Sequence, residues 1–244
     1  MKRDWNGNGN SVPSRLAINK DHTTKNRQKD DFYATDPTAL EMLLDHCSLF
    51  LRGVLNSCMF DSGNCNRLYS TYFHGEKILT APSIWECACG NGNLYRVLTE
   101  RGYNCIYSDI KDRSTNDYPL NFKGMLKIDF LKTFDFILPT QYNVAVILTN
   151  PPYSLATEFI EHALDILPDG GLYIALMNIT YLAGQKRHNR VYQFGTLREV
   201  YIFSKRIECW KNNNKEKWGG KAMADYGWYV FQKGYCGQPT LYWL

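Results

Sequence analysis

The chain has 244 residues, 44% of them apolar and 14% aromatic, which is enough to bury a large core and excludes a wholly disordered protein. No apolar run approaches the ~20 residues that a membrane helix needs, and the start of the chain is polar, so one cytosolic domain with no membrane contact is the expectation. Net charge is only +4 and the eight cysteines come without a secretory signal, so they read as reduced core residues, and Cys58, Cys65 and His74 stand at no recognised zinc spacing, so no metal is expected.

Residues 1–30 hold seven Lys/Arg against three Asp/Glu and have little to bury. They predict a disordered basic arm that either touches nucleic acid or only solubilises, followed by one domain over 31–244. Asp31-Phe32-Tyr33-Ala34-Thr35-Asp36-Pro37 leads into Leu40, Leu43, Leu44, Cys47 and Leu51, a stripe that predicts one amphipathic helix with Pro37 in its first turn. The aromatic pair before it either lines a pocket or staples the helix. Residues 52–82, rich in Gly, Asn, Ser and Cys, read as a long surface connection.

Ile84 to Leu94 reads as a short strand running into a glycine-rich turn, Glu86-Cys87-Ala88-Cys89-Gly90-Asn91-Gly92, and then a helix starting at Leu94, Val97 and Leu98. Gly90 and Gly92 let backbone approach a ligand closely. The third glycine of the dinucleotide fingerprint is absent, which counts against a pyrophosphate here. Asn104 to Asp109 is the next strand. Asp109 stands 17 positions after Gly92, near the ~20-residue spacing at which a carboxylate accepts from ribose hydroxyls in such sites. The alternative is a strand-end Asp that caps a loop. Leu126 to Phe130 ends a third strand, where Asp129 offers a carboxylate to a base amino group and Phe130 a ring to pack on it.

Val144 to Thr149 predicts a buried parallel strand stopped by Asn150-Pro151-Pro152-Tyr153. At that end of an open α/β sheet ligands bind. Asn150 carries an amide oxygen and two donors, the prolines hold the backbone extended, and Tyr153 has a face on which a flat group can stack. The bland alternative is a proline-stopped turn. Ser154 caps a predicted helix with Leu155, Phe159, Ala163 and Leu167 at four-residue spacing, ended by Pro168-Asp169-Gly170-Gly171. Leu172–Met177, Val200–Phe203 and Tyr229–Phe231 complete seven predicted strands. Their alternation with helices means an α/β, mostly parallel sheet with helices on both faces.

Charge is segregated along the chain. Residues 31–184 hold ten Lys/Arg against seventeen Asp/Glu, and 185–221 hold ten against three. Lys186, Arg187, Lys211, Lys215 and Lys217, interleaved with Trp210 and Trp218, make 185–221 either a strand-gripping nucleic-acid segment or a solvated basic loop.

Together these motifs resemble, in order and over most of the chain after the arm, the S-adenosylmethionine-dependent methyltransferases, and specifically the amino-group methyltransferases acting on adenine in DNA. Small members of that family are often encoded by phages or prophages, which implies a bacterial or phage-infected cell. The resemblance rests on Phe32-Tyr33-Ala34-Thr35, Glu86 to Gly92, Ser108-Asp109, Asp129-Phe130 and Asn150-Pro151-Pro152-Tyr153. It implies a Rossmann-like methyltransferase fold with a seven-stranded sheet. Glu86, Ala88, Cys89, Gly90 and Gly92 would hold the cofactor's methionine part, Asp109 its ribose, Asp129 and Phe130 its adenine, with Phe32, Tyr33 and Thr35 closing the pocket. Asn150 and the Pro151 carbonyl would accept from the target amino group, with Pro152 shaping the turn and Tyr153 stacking on the base. Asp36 is one residue more than the family's Thr followed directly by Pro. No large recognition domain is evident, so either 185–221 reads the target or specificity is low. Nothing in the sequence calls for an obligate protein partner. The competing readings are methylation of RNA or of a protein glutamine amide, and a non-catalytic nucleic-acid-binding protein with this fold; the charge segregation favours nucleic acid over protein.

Overall fold

A computed structural model describes residues 33–59, 69–73, 76–80, 82–113, 126–133, 142–211 and 224–244, all in the second of the chain's two units, Phe32–Leu244. The basic arm, Phe32, Lys215 and Lys217 lie outside the described residues. In chain order the elements are β1 (Tyr33–Thr35), α1 (Thr38–His46), α2 (Leu49–Ser57), β2 (Tyr69–Phe73), β3 (Glu76–Thr80), β4 (Ser83–Glu86), α3 (Asn93–Glu100), β5 (Cys105–Asp109) and β6 (Leu126–Lys127). There follow β7 (Val144–Thr149), α4 (Ala156–Ile166), β8 (Leu172–Asn178), α5 (Gln185–Arg190), β9 (Leu197–Ile202), β10 (Cys209–Lys211), β11 (Tyr226–Gln232) and β12 (Thr240–Trp243). No described helix is long and apolar enough to cross a membrane.

The main sheet runs β6-β5-β4-β7-β8-β11-β9-β12. Only β11 is antiparallel to its neighbours; the other pairs are parallel. This is a Rossmann-like α/β fold, with eight strands where seven were expected. The addition is β12, which lies parallel to β9 with Thr240 opposite Glu199. Its four residues are too few, and too exposed, to give a strand signal.

Period-two alternation explains why the sheet has two cores. Leu172, Ile174 and Leu176 of β8 and Trp228 and Val230 of β11 face one side, where Leu40, Leu43, Leu51, Leu55 and Leu98 of α1, α2 and α3 cover them. Tyr173, Ala175 and Met177, with Tyr229 and Phe231, face the other, covered by Phe159, Ile160 and Ala163 of α4. Fully burying each such large apolar side chain contributes about 1.5–3 kcal/mol. Among them Trp228 also donates from Nε1 to the Ala39 carbonyl, 2.9 Å away, which fastens α1 to the sheet.

The expected single helix is two. The stripe from Leu40 to Leu51 is buried throughout, but Cys47 turns to an extended ψ of 158° and Ser48 caps α2, its side chain accepting from the Leu51 N–H. The reason is tertiary. Ser48 Oγ also donates to the buried Glu199 at 2.8 Å, and its N–H donates to the Tyr201 hydroxyl at 3.0 Å. A carboxylate inside the fold needs such donors, and an unbroken helix would have spent the Ser48 N–H on its own turn. The expected surface connection over 52–82 is likewise corrected: α2 runs into it, and β2 pairs with β3 as an antiparallel hairpin. Pro37 sits at the cap of α1, and the additional Asp36 accepts from the Thr38 N–H at 3.0 Å, which gives it a structural use.

Candidate functional site

β4 is flanked by β5 on one side and β7 on the other, so successive crossovers diverge there, the position at which open α/β sheets form a ligand crevice beyond the carboxyl ends of their strands. Both motif-bearing turns lie there.

On the β4 side, Gly90 and Gly92 take φ of 57° and 81°, the left-handed region that other residues enter at a cost of about 1–2 kcal/mol. Backbone bonds fix the turn: Cys89 N–H to the Ser108 carbonyl (2.9 Å) and Gly92 N–H to the Cys89 carbonyl (2.8 Å). The Gly90 N–H donates to Asp109 Oδ2 at 2.8 Å. Asp109 Oδ1 accepts from the Lys111 N–H at 2.9 Å and faces Arg113 at 3.6 Å. The strand-end carboxylate therefore ties two strands' ends together, which is the loop-capping role, while its two oxygens retain capacity for further donors.

Glu86 is fully buried at the base of this turn. Burial pushes its carboxyl well above the usual carboxylate range, the Tyr95 backbone N–H pulls it down, and Asp109 adds to the rise. Its Oε2 has no hydrogen-bond partner, nor has Nδ2 of the buried Asn91. An unsatisfied acceptor and an unsatisfied donor beside left-handed glycines suit a small zwitterionic group. Ala88 is half-buried in the turn, and Cys89 is buried there with its thiol raised far up by burial and by Glu86. The seven described cysteines are not joined in disulfides.

On the β7 side, Asn150 follows Thr149 directly and Pro151 is buried behind it. Asn150 Nδ2 donates to Thr35 Oγ1 at 2.8 Å and, more weakly, to the Tyr33 carbonyl at 3.5 Å, while Oδ1 is buried with no partner. Pro152 gives its carbonyl to the Leu155 N–H, starting a short 3-10 turn, Tyr153–Leu155, before α4. Ser154 thus lies inside that turn, and Leu155, expected on the buried stripe, is 40% exposed. The Tyr153 ring neighbours those of Tyr33 (centroids 6.2 Å, 21°) and Tyr226 (6.0 Å, 31°). Burial pushes the Tyr153 hydroxyl well above its ordinary range, with Cys209 and Tyr226 packed beside it; burial likewise moves Cys209 up to about 12.

The Tyr33-to-Thr35 strand reaches the site by pairing with β10: Tyr33 opposes Lys211, Ala34 opposes Trp210 and Thr35 opposes Cys209. The basic segment 185–221 therefore includes the strand that pairs with Tyr33–Thr35. Asn93, the first residue of α3, donates from Nδ2 to the Thr35 carbonyl at 2.7 Å, which joins this strand to the glycine turn.

The other expected site residues are placed less directly. The Ile128 N–H bonds the Asp109 carbonyl, so Asp129 comes alongside Asp109 on the sheet edge, where it pairs with Lys132 at 3.1 Å. Phe130 is buried against Trp85, Phe159 and His162 beneath the crevice. Lys186 is exposed on α5. Arg187 is engaged internally, with Nε on the Ala183 carbonyl at 2.8 Å and its guanidinium 4.6 Å from the Tyr181 ring centre. Sequence reasoning missed Asn91, Asn93, Cys209 and Tyr226. The first two sit within or just after the glycine turn and were legible as polar residues in an apolar context; Tyr226 and Cys209 lie on strands whose sequence gives no sign of what they face.

No protein-family model and no curated protein matches the chain. Solved structures do. A protein from Listeria monocytogenes assigned as a class I S-adenosylmethionine-dependent methyltransferase aligns at 14% identity over 67% of this chain and 58% of its own, TM-score 0.47. The M protein of the type I restriction enzyme EcoKI aligns at 12% identity over 63% of this chain and 40% of its own, TM-score 0.41. The DrdV–DNA complex aligns at 11% identity and TM-score 0.57, over 88% of this chain and 28% of the DrdV chain. This chain spans less than two thirds of each of these proteins, and at such identities the likeness is one of fold.

Proposed function

We propose that this chain binds S-adenosylmethionine in the glycine-turn side of the crevice and transfers its methyl group to the exocyclic amino group of adenine in DNA. The observation that carries the reading is Asn150 Oδ1, a buried acceptor with no partner, held beside an aromatic wall at the carboxyl end of β7. The cofactor, when bound, supplies an electrophilic methyl on a sulfonium. Gly90 and Gly92 give its methionine part close backbone contact, Glu86 Oε2 and Asn91 Nδ2 match its ammonium and carboxylate, Asp109 accepts from its ribose, and Asp129 and Phe130 flank its adenine. Tyr33, with Phe32, closes the pocket.

The clamp acts on the substrate. An amino nitrogen conjugated with a purine ring is a poor nucleophile. Asn150 Oδ1 and the Pro151 carbonyl would accept its two hydrogens, draw the lone pair out of conjugation and stabilise the positive charge that develops as the new C–N bond forms and the methyl–sulfur bond breaks, its electron pair staying on sulfur as a thioether; the surplus proton would then leave to water. Tyr153, braced by Tyr33 and Tyr226, stacks on the extruded base. Residues 31–244 form the catalytic domain in this reading, and the arm 1–30 and segment 185–221, including Lys186, Arg187, Lys211, Lys215 and Lys217, contact the phosphates.

The deciding test incubates the protein with methyl-labelled S-adenosylmethionine and duplex DNA, single-stranded DNA, total RNA and protein in parallel, followed by nucleoside mass spectrometry. N6-methyladenine from DNA is the expected product. Label in RNA or protein only would reassign the substrate, and the absence of cofactor binding at millimolar concentration by calorimetry would refute the enzyme reading.

A further inference from the structure

We propose that Thr35 is a positioning residue which, together with the Tyr33 carbonyl, sets the orientation of the Asn150 amide so that its oxygen alone meets the substrate. The proposal rests on the clamp role of Asn150 given above and assigns Thr35 to that clamp in place of the cofactor pocket.

A primary amide has nearly the same shape after a half-turn about its last bond, and that torsion is soft and roughly two-fold. The chemistry of its two faces is opposite. The oxygen accepts from an amino group; the NH2 would oppose it with a second donor. Something must therefore hold the amide one way round. The groups at hand are the Tyr33 carbonyl, 3.5 Å from Nδ2, and Thr35 Oγ1, 2.8 Å from it. A carbonyl only accepts, so a flipped amide would set oxygen against oxygen there, and the sign of the choice is fixed by Tyr33. The shorter bond to Thr35 fixes the position. Thr35 is only 4% exposed, so water has little access to replace its hydroxyl. The same residue receives Asn93 Nδ2 on its carbonyl at 2.7 Å, from the residue that follows the glycine turn. Through this one residue the turn and the clamp share a mechanical reference.

Thr35→Val keeps the shape, the β-branching and the carbonyl that binds Asn93, and removes the acceptor for Asn150. Thr35→Ser restores an acceptor. Asn150 is followed directly by selective 15N-asparagine labelling, its side-chain amide signals being assigned by their loss in Asn150→Ala. In the wild type and Thr35→Ser these amide protons exchange slowly; in Thr35→Val they exchange at least ~10-fold faster, as expected for a hydrogen-bonded group released locally. Methyl transfer to DNA falls in kcat on the order of 100-fold in Thr35→Val, recovers in Thr35→Ser, and the dissociation constant of S-adenosylmethionine stays within roughly two-fold because the loss lies in positioning and not in cofactor contact. Equal exchange rates in wild type and Thr35→Val would overturn the proposal. So would a loss of rate at sub-saturating cofactor that saturating cofactor restores, leaving kcat unchanged, which would return Thr35 to the cofactor pocket. If the wild type methylates no DNA, or Asn150→Ala turns over normally, the functional reading fails, and the exchange experiment still judges the Thr35–Asn150 link.

Discussion

The two sides of the crevice are built in different ways. The glycine-turn side is assembled from one stretch, Glu86 to Asp109, and fixed mainly by its backbone: left-handed glycines and N–H groups of Cys89, Gly90 and Gly92 bonded within the same 24 residues. The clamp side is assembled from distant parts of the chain, Tyr33–Thr35, Asn150–Tyr153, and Cys209 with Tyr226, and is held by the hydrogen bonds of the Asn150 amide and by neighbouring rings. The first is stiff because the chain has little choice there. The second is stiff only while the fold holds these parts together, so damage to each side should be read by a different measurement.

Asn150→Ala gives the largest separation. It is expected to lower kcat at least ~10³-fold, as loss of a charge-stabilising partner does, with S-adenosylmethionine affinity by calorimetry unchanged; near-normal turnover would dissolve the distinction. Gly92→Val strikes the other side. A β-branched residue at φ 81° costs about 1–2 kcal/mol, so cofactor binding should fail at ordinary concentrations and thermal denaturation should start a few degrees lower, while tryptophan fluorescence reports an otherwise native fold.

Glu86→Gln sharpens the comparison through pH. The folded state raises the Glu86 carboxyl well above its unfolded value, so the group favours folding below the unfolded value of about 4.3 and this contribution is lost as pH rises through the folded value. The ligand-free Gln variant should therefore melt higher than the wild type at neutral pH, by roughly 2–4 °C per kcal/mol of relieved burial, and the gain should vanish near pH 4. Its cofactor affinity should drop. A pH-independent difference in melting would mean that Glu86 does not titrate in this way. The smallest and most diffuse effect concerns neither side: replacing Lys211, Lys215 and Lys217 together with Gln should reduce the slope of log affinity for DNA against log salt by up to ~3 and leave cofactor binding intact. An unchanged slope would make that stretch a solvated surface.

Local signals carried the sheet well. Seven strands were readable because most are short runs rich in apolar residues with Gly, Pro or Asp close to an end, and all seven are present in the order expected. Where the expectation failed, the cause lay elsewhere in the chain. The helix break at Ser48 answers to Glu199 and Tyr201, some 150 residues away, and the short edge strand β12 exists only because β9 offers it an open edge.

By itself the sequence determined the α/β alternation, the left-handed glycine turn with its strand-end Asp109, and the position of Asn150 at the end of a buried strand, because backbone propensity and side-chain periodicity act over a few residues. Only the tertiary structure decided what Asn150 touches. The pairing of β1 with β10 brings Thr35, Tyr33 and Cys209 to the clamp, β11 brings Tyr226, and Asn93 ties the two sides together. No local pattern encodes a hydrogen bond between residues 35 and 150; it exists because burial of both sheet faces leaves the amide one set of neighbours.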